Sequence, residues 1–195
     1  MKKLLALALV AMMAGGAMAQ VHNGMGIFFS DTVFDETTNT VAPAASTPFD
    51  MYLVLIAVDF ANVGGYECGI EFSEVGTLIL SVGGPNGWTN FGDNTNHLVG
   101  YQSALPVSGD GSVVLASFSV MRLNTDAVDI TLGPSDPASI PGVPVVADHA
   151  DPDNLHACVL ATDDDTAPGV VARFNGDGIV ATEASSLTDV KALFD

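Results

Sequence analysis

The chain has 195 residues, enough for one domain with a sizeable core. Apolar residues make up 48% and charged residues 14%, with 23 acids against 5 bases and a net charge of −18. That balance excludes nucleic acid and anionic membrane surfaces as partners, and the apolar content excludes an acidic disordered tail.

Residues 1–19 have the form of an export signal. Lys2 and Lys3 precede an apolar run from Leu4 to Met13, and Ala17-Met18-Ala19 is an A-x-A cleavage site that predicts a mature chain from Gln20. The apolar run is too short for a permanent membrane span. No cysteine stands at the cleavage point to carry a lipid, and no second long apolar segment follows. The expectation is a soluble exported protein, periplasmic or extracellular, with residues 20–195 as a single domain. It keeps Arg122, Arg173 and Lys191 against all 23 acids, a net −20. Such a surface repels itself and attracts divalent cations.

Residues 24–30 predict a first strand, 31–48 a Thr/Ala/Pro/Asp loop, and 49–60 a strand buried on both faces. Gly64-Gly65 reads as a turn. Tyr66, Cys68, Ile70 and Phe72 then alternate with Glu67, Gly69 and Glu71, which predicts a half-buried strand with the first set pointing inward. TLILSV (77–82) is a further strand, 83–96 a long polar connection, and HLVGYQ (97–102) a strand. A turn at 108–111 leads into 112–121, with Val114, Ala116, Phe118 and Val120 on one face, and then into 127–133. Residues 134–154 read as an irregular crossing, 156–161 and 169–175 as short strands, and 175–178 as a turn. Ser186 is a candidate cap for one short C-terminal helix, with Leu187, Val190, Leu193 and Phe194 at helical spacing. Strands recurring about every ten residues between Gly, Pro, Asn and Asp describe an all-β antiparallel sandwich or barrel.

Four segments carry a family resemblance. YLVLIAV looks like an early core strand, VGGYECGIEFS like the strand that follows it, TLILSVGG like the next, and GSVVLASFSV with AVDITLG like the later pair. In this order they resemble the cohesin and carbohydrate-binding-module class of secreted bacterial β-sandwiches, over roughly half of the mature chain. The acid expected after the aromatic of the second segment is Glu74 or absent, and 134–195 lie outside the match. The resemblance implies an immunoglobulin-like sandwich that binds a protein partner or a glycan. The segment RFNGDG (173–178) is similar to the calcium loop of dockerins at Asn175, Asp177 and Gly178. Arg173 at the first ligand position and Ala184 at the twelfth oppose that use, and a hairpin turn accounts for the segment.

The two cysteines of the mature chain, Cys68 and Cys158, form an even pair in an oxidising compartment and suggest one disulfide; the alternative is two buried thiols. Asp148, Asp151, Asp153 and Asn154 sit close together in a Pro-containing stretch, beside His149 and His156. They are candidate oxygen ligands for calcium, or, with the two histidines, mixed ligands for a transition metal, against the alternative of a solvated acidic loop. Asp163–Asp165 would add ligands if it lay at the same end. Trp88, Phe91 and Tyr101 are candidates for an exposed aromatic platform that stacks on a sugar ring, unless Trp88 packs under its own loop. No G-x-S-x-G or H-E-x-x-H motif occurs, and no basic group flanks a cysteine. The sequence therefore points to an exported non-catalytic recognition module for a protein or a polysaccharide. The alternative is a structural envelope or matrix component that self-assembles, with calcium bridging its acidic surface.

Overall fold

The computed structural model describes residues 22–35, 37–161 and 169–176. The expected export signal, the helix expected after Ser186, the 163–165 acidic run and the end of the expected 175–178 turn lie outside the described residues. Thirteen strands are described: β1 (Gly24–Phe28), β2 (Thr40–Val41), β3 (Pro48–Ile56), β4 (Asn62–Phe72), β5 (Thr77–Gly83), β6 (Trp88–Asn90), β7 (Asn96–Pro106), β8 (Val113–Arg122), β9 (Val128–Gly133), β10 (Val145–Asp148), β11 (Leu155–Ala157), β12 (Val159–Leu160) and β13 (Val170–Phe174). They form two sheets. The five-stranded sheet has the order β12-β1-β3-β8-β5. The eight-stranded sheet runs β11-β10-β4-β9-β13-β2, with β7 on β4 and β6 on β7.

The all-β sandwich expected from strand spacing is present, with one correction to its pairing. Most ladders are antiparallel, but β12 pairs with β1, and β2 with β13, in parallel. Each parallel match spans only two residues, at a sheet edge.

The core lies between the inward rows of the two sheets. Tyr66, Cys68 and Ile70 of β4 belong to it and the half-buried Phe72 packs against it, as period-2 alternation requires. Gly64-Gly65 is not a turn: both lie inside β4, which begins at Asn62. In β8, Ala116, Phe118 and Val120 point inward as expected, but Val113 and Leu115 replace Val114. A bulge is responsible: Leu53 pairs with Ala116 while Val54 pairs with Val114, so Leu115 is the extra residue and the parity changes there. Residues 134–154, expected to be irregular, contribute β10 along β4.

β4 organises the larger sheet. β7 runs along it from Asn62 to Gly69, β10 covers Val63–Glu67, and β9 covers Gly69–Phe72. One end of the sandwich is filled by rings around Phe174, with Phe29 at 5.5 Å, Phe49 at 5.4 Å and Phe72 at 6.2 Å. Arg122, wholly buried, lies over the same ring at 5.8 Å. Its guanidinium donates to Thr77 Oγ1 at 2.6 Å, Asn124 Oδ1 at 2.5 Å and the Asp126 carbonyl at 3.3 Å. These acceptors replace part of the water that a buried cation loses, while Nε, equally buried, has no hydrogen-bond partner.

The expected disulfide is not formed: Cys68 and Cys158 are free, buried thiols. The register explains it. The run containing β11 and β12 leaves one sheet for the other at Cys158, whose N–H donates to the Pro144 carbonyl at 2.9 Å. Val145 faces both Glu67 and Ala157. One step further, Pro144 therefore stands between Cys68 and Cys158. Cys68 has His97 as its ladder partner and Cys158 lies at the crossover between the sheets, so the two cysteines do not face each other across a ladder.

Candidate functional site: a trough across the larger sheet

The inward alternation of β4 leaves Gly65 and Glu67 on the outer face of the larger sheet. The register extends this face into two rows that cross the strands. One row contains Leu155, Ala147, Gly65, Gly100 and Thr89, each paired with the next. The other contains Val145, Glu67 and Leu98. Phe91 continues it, its N–H donating to the Leu98 carbonyl at 2.9 Å.

The first row is nearly free of side chains where it crosses β10, β4 and β7. Ala147, Gly65 and Gly100 make a floor, and Val145, Leu98 and Phe91 a wall. The result is an open, largely apolar trough of ≈ 360 Å³. Phe91 is 80% exposed on its rim and Leu155 is 38% exposed at its end. At Gly65 a Cβ would come to 2.5 Å from the Val99 carbonyl, so the strands can approach only because this residue is glycine. At Gly100 a Cβ would meet nothing within 4 Å and would project into the open trough.

The underside is fixed by a hydrogen-bonded chain. Trp88 Nε1 donates to the Tyr66 hydroxyl at 3.4 Å, and that hydroxyl lies 2.8 Å from His97 Nδ1. His97 Nε2 lies 3.3 Å from the Asn94 carbonyl, which can only accept. Nε2 therefore carries the proton and the Tyr66 O–H donates to Nδ1. Burial holds His97 below the usual imidazole range and Tyr66 well above the usual phenol range. At the other edge, the Glu67 carboxylate accepts from the Ser139 N–H at 3.0 Å and the Ser139 hydroxyl at 2.7 Å, which ties the 134–141 crossing to β4.

The three candidate aromatics do not form a platform. Tyr101 is buried and donates to the Leu115 carbonyl at 2.7 Å. Trp88 is half-buried and packed on the core, 6.4 Å from the His97 ring. Phe91 alone of the three is exposed, and it serves the trough.

Asp148, Asp151, Asp153 and Asn154 do lie in and around one turn, between β10 and β11. Asp148 accepts from the Ala150 N–H at 2.9 Å, and the Asn154 N–H donates to the Asp151 carbonyl at 2.9 Å. Among the described residues, no group of three or more His, Cys, Asp or Glu is placed to hold a metal ion. The two thiols are unsuited to nucleophilic chemistry: burial pushes Cys158 up to about 12 and Cys68 further. No helix among the described residues is long and apolar enough to cross a membrane.

Sequence reasoning did not find the trough. Gly65 looked like a turn, and Ala147 lay in a segment without an assigned strand. The available signal was parity: Gly100 alternates with the inward Val99 and Tyr101, and so falls on the same outer face as Gly65.

The architecture is a cohesin-like β-sandwich. The sixth cohesin of Acetivibrio cellulolyticus scaffoldin B, solved in complex with a dockerin mutant, matches with a TM-score of 0.51 and 8% identity, over 79% of this chain and 98% of that one. A non-cellulosomal cohesin from the archaeon Archaeoglobus fulgidus is similar at a TM-score of 0.43 and 13% identity, over 85% and 97% of the two chains. A cohesin module from a Clostridium perfringens family 33 glycoside hydrolase has a TM-score of 0.47 and 10% identity, over 70% and 89%. No family model and no curated protein sequence matches the chain.

Proposed function

We propose that this chain is a non-catalytic protein-recognition module that works outside the cytoplasm and binds its partner in the trough on the larger sheet. The observation that carries the reading is the floor of Ala147, Gly65 and Gly100 beside the exposed Phe91. Aromatic side chains left in water beside a preformed apolar concavity are the usual anchors of protein interfaces. Support comes also from the Acetivibrio cohesin, which shares the fold and was solved with a protein partner. The export signal expected at residues 1–19 supplies the location.

The test compares the exported chain with its Gly100→Trp variant as baits against secreted and envelope fractions of the source organism. The expected result is a protein retained in one-to-one ratio by the first and not by the second. Retention of the same material by both, or of polysaccharide only, overturns the reading.

A second reading, self-assembly, is favoured by one observation. The edge strand β5 carries no charge and exposes Leu78 and Leu80. A solution mass that rises with concentration, and returns to monomer in Leu80→Lys, would select it.

A further inference from the structure

We propose that the segment received by the trough is basic, with one or two large apolar side chains flanked by lysine or arginine. This rests on the reading of the trough as the binding site and adds the chemistry of its occupant.

Two independent features carry it. The first is the cavity. Its ≈ 360 Å³ volume and its lining of Leu98, Val145, Leu155 and Phe91 suit aliphatic or aromatic side chains and offer few polar groups to satisfy a buried polar one. The second is the charge around it. Asp148, Asp151 and Asp153 lie in and beside the turn that follows Ala147 and returns to Leu155. Asp93 follows Phe91 by two residues, and Asp136 is joined by its N–H to Asn96 Oδ1 at 2.9 Å. Carboxylates therefore stand beyond both long sides of the trough.

Among the described residues, no lysine or arginine stands free on that face to offset them, and the only basic side chains near it are the imidazoles of His149 and His156. Of the two arginines among the described residues, Arg122 is wholly buried, and Arg173 is paired with Asp129 at 2.5 Å on another part of the sheet. An acidic partner would meet repulsion at every approach to the trough. A neutral one would forgo the field. A basic one is steered to it and held by rim pairs around a desolvated apolar centre.

The experiment is selection of displayed random peptides on the wild-type chain, with depletion on Gly100→Trp. That variant keeps every charge and fills the trough, so peptides drawn only by net charge are removed with it. The expected pool is enriched in Lys and Arg around a Leu, Ile, Phe or Trp. A representative peptide should lose affinity tenfold or more on Phe91→Ser, and about tenfold between roughly 0.05 and 0.5 M salt. Phe91 is on the surface, so its replacement separates loss of binding from loss of fold.

A pool that depends on the trough but is neutral or acidic, or whose affinity ignores salt, overturns the proposed chemistry and leaves the binding site standing. A pool that binds wild type and Gly100→Trp alike overturns the trough as the site, and the proposal with it.

Discussion

The hydroxyl of Tyr66 donates to Nδ1 of His97 across 2.8 Å, and this bond has only one workable direction. Nε2 of His97 faces a carbonyl and must hold the other proton, while the Tyr66 oxygen already accepts from Trp88. An imidazolium would place a second proton on Nδ1, against the Tyr66 O–H. Burial opposes the same charge.

Acid should therefore weaken the fold through His97. Its folded-state pKa lies below the ordinary value of about 6.5. The unfolded chain thus binds more protons over that interval, and stability is lost as pH falls from the unfolded value toward the folded one. Melting temperatures measured from pH 8 to pH 5 should fall in the wild type. They should fall less in His97→Gln, which keeps an acceptor and cannot titrate. An equal slope in both proteins would remove His97 as the cause.

Trp88 is the only tryptophan, so its emission reports on the underside of the trough. A Cβ at Gly84 would collide with the indole ring. Gly84→Ala should shift the emission to the red and cost about 1–3 kcal/mol, the range for overpacking. Unchanged emission in a folded variant would show that the ring is not held where the structure has it.

The thiols of Cys68 and Cys158 should be silent toward alkylating reagents at neutral pH in the native protein. Both should react after unfolding without any reductant. Mass analysis decides it, since a chain that takes up no label after unfolding contains a disulfide. Each Cys→Ala variant should lose stability through the small cavity left behind, about 1 kcal/mol.

Arg122 depends on neutral acceptors. Asn124→Ala removes one of them and should cost about 1.5–3 kcal/mol, the range for a hydrogen bond to a charged group. Asn124 also donates to Asp126 Oδ2 at 2.7 Å, so the same change releases that carboxylate from the loop. Chemical denaturation of wild type and variant checks the value; a loss within error would mean that water reaches the guanidinium.

Much of the fold is legible in the sequence because one face of most strands is buried. Tyr66 to Phe72 could be assigned an inward side from alternation alone, and β3 could be recognised as a strand from its apolar run, although it ends at Ile56 and leaves Asp50 exposed and Tyr52 half-buried rather than being buried on both faces. What could not be read depends on pairing between distant segments. The bulge that turns Leu115 inward is set by the partner strand, not by the residues of β8. β10 has only four residues and is recognisable as a strand chiefly by its place beside β4. The trough belongs to the same category: Ala147, Gly65 and Gly100 are far apart in the chain and become neighbours only through register. Arg122 is similar, since a lone base in an acidic chain gives no sign that it will be wholly enclosed.

The trough floor is defined by backbone pairing among three strands, whereas the acids around it sit on connections. These two parts answer to different constraints. If the trough is the seat proposed above, a change in the 148–154 turn would alter the charge a partner meets without disturbing the floor. A one-residue slip of β7 would instead bring Val99 or Tyr101 to the outer face and abolish the seat for every partner. On the proposed reading, substitutions in the loop would change the partner while the fold stays intact.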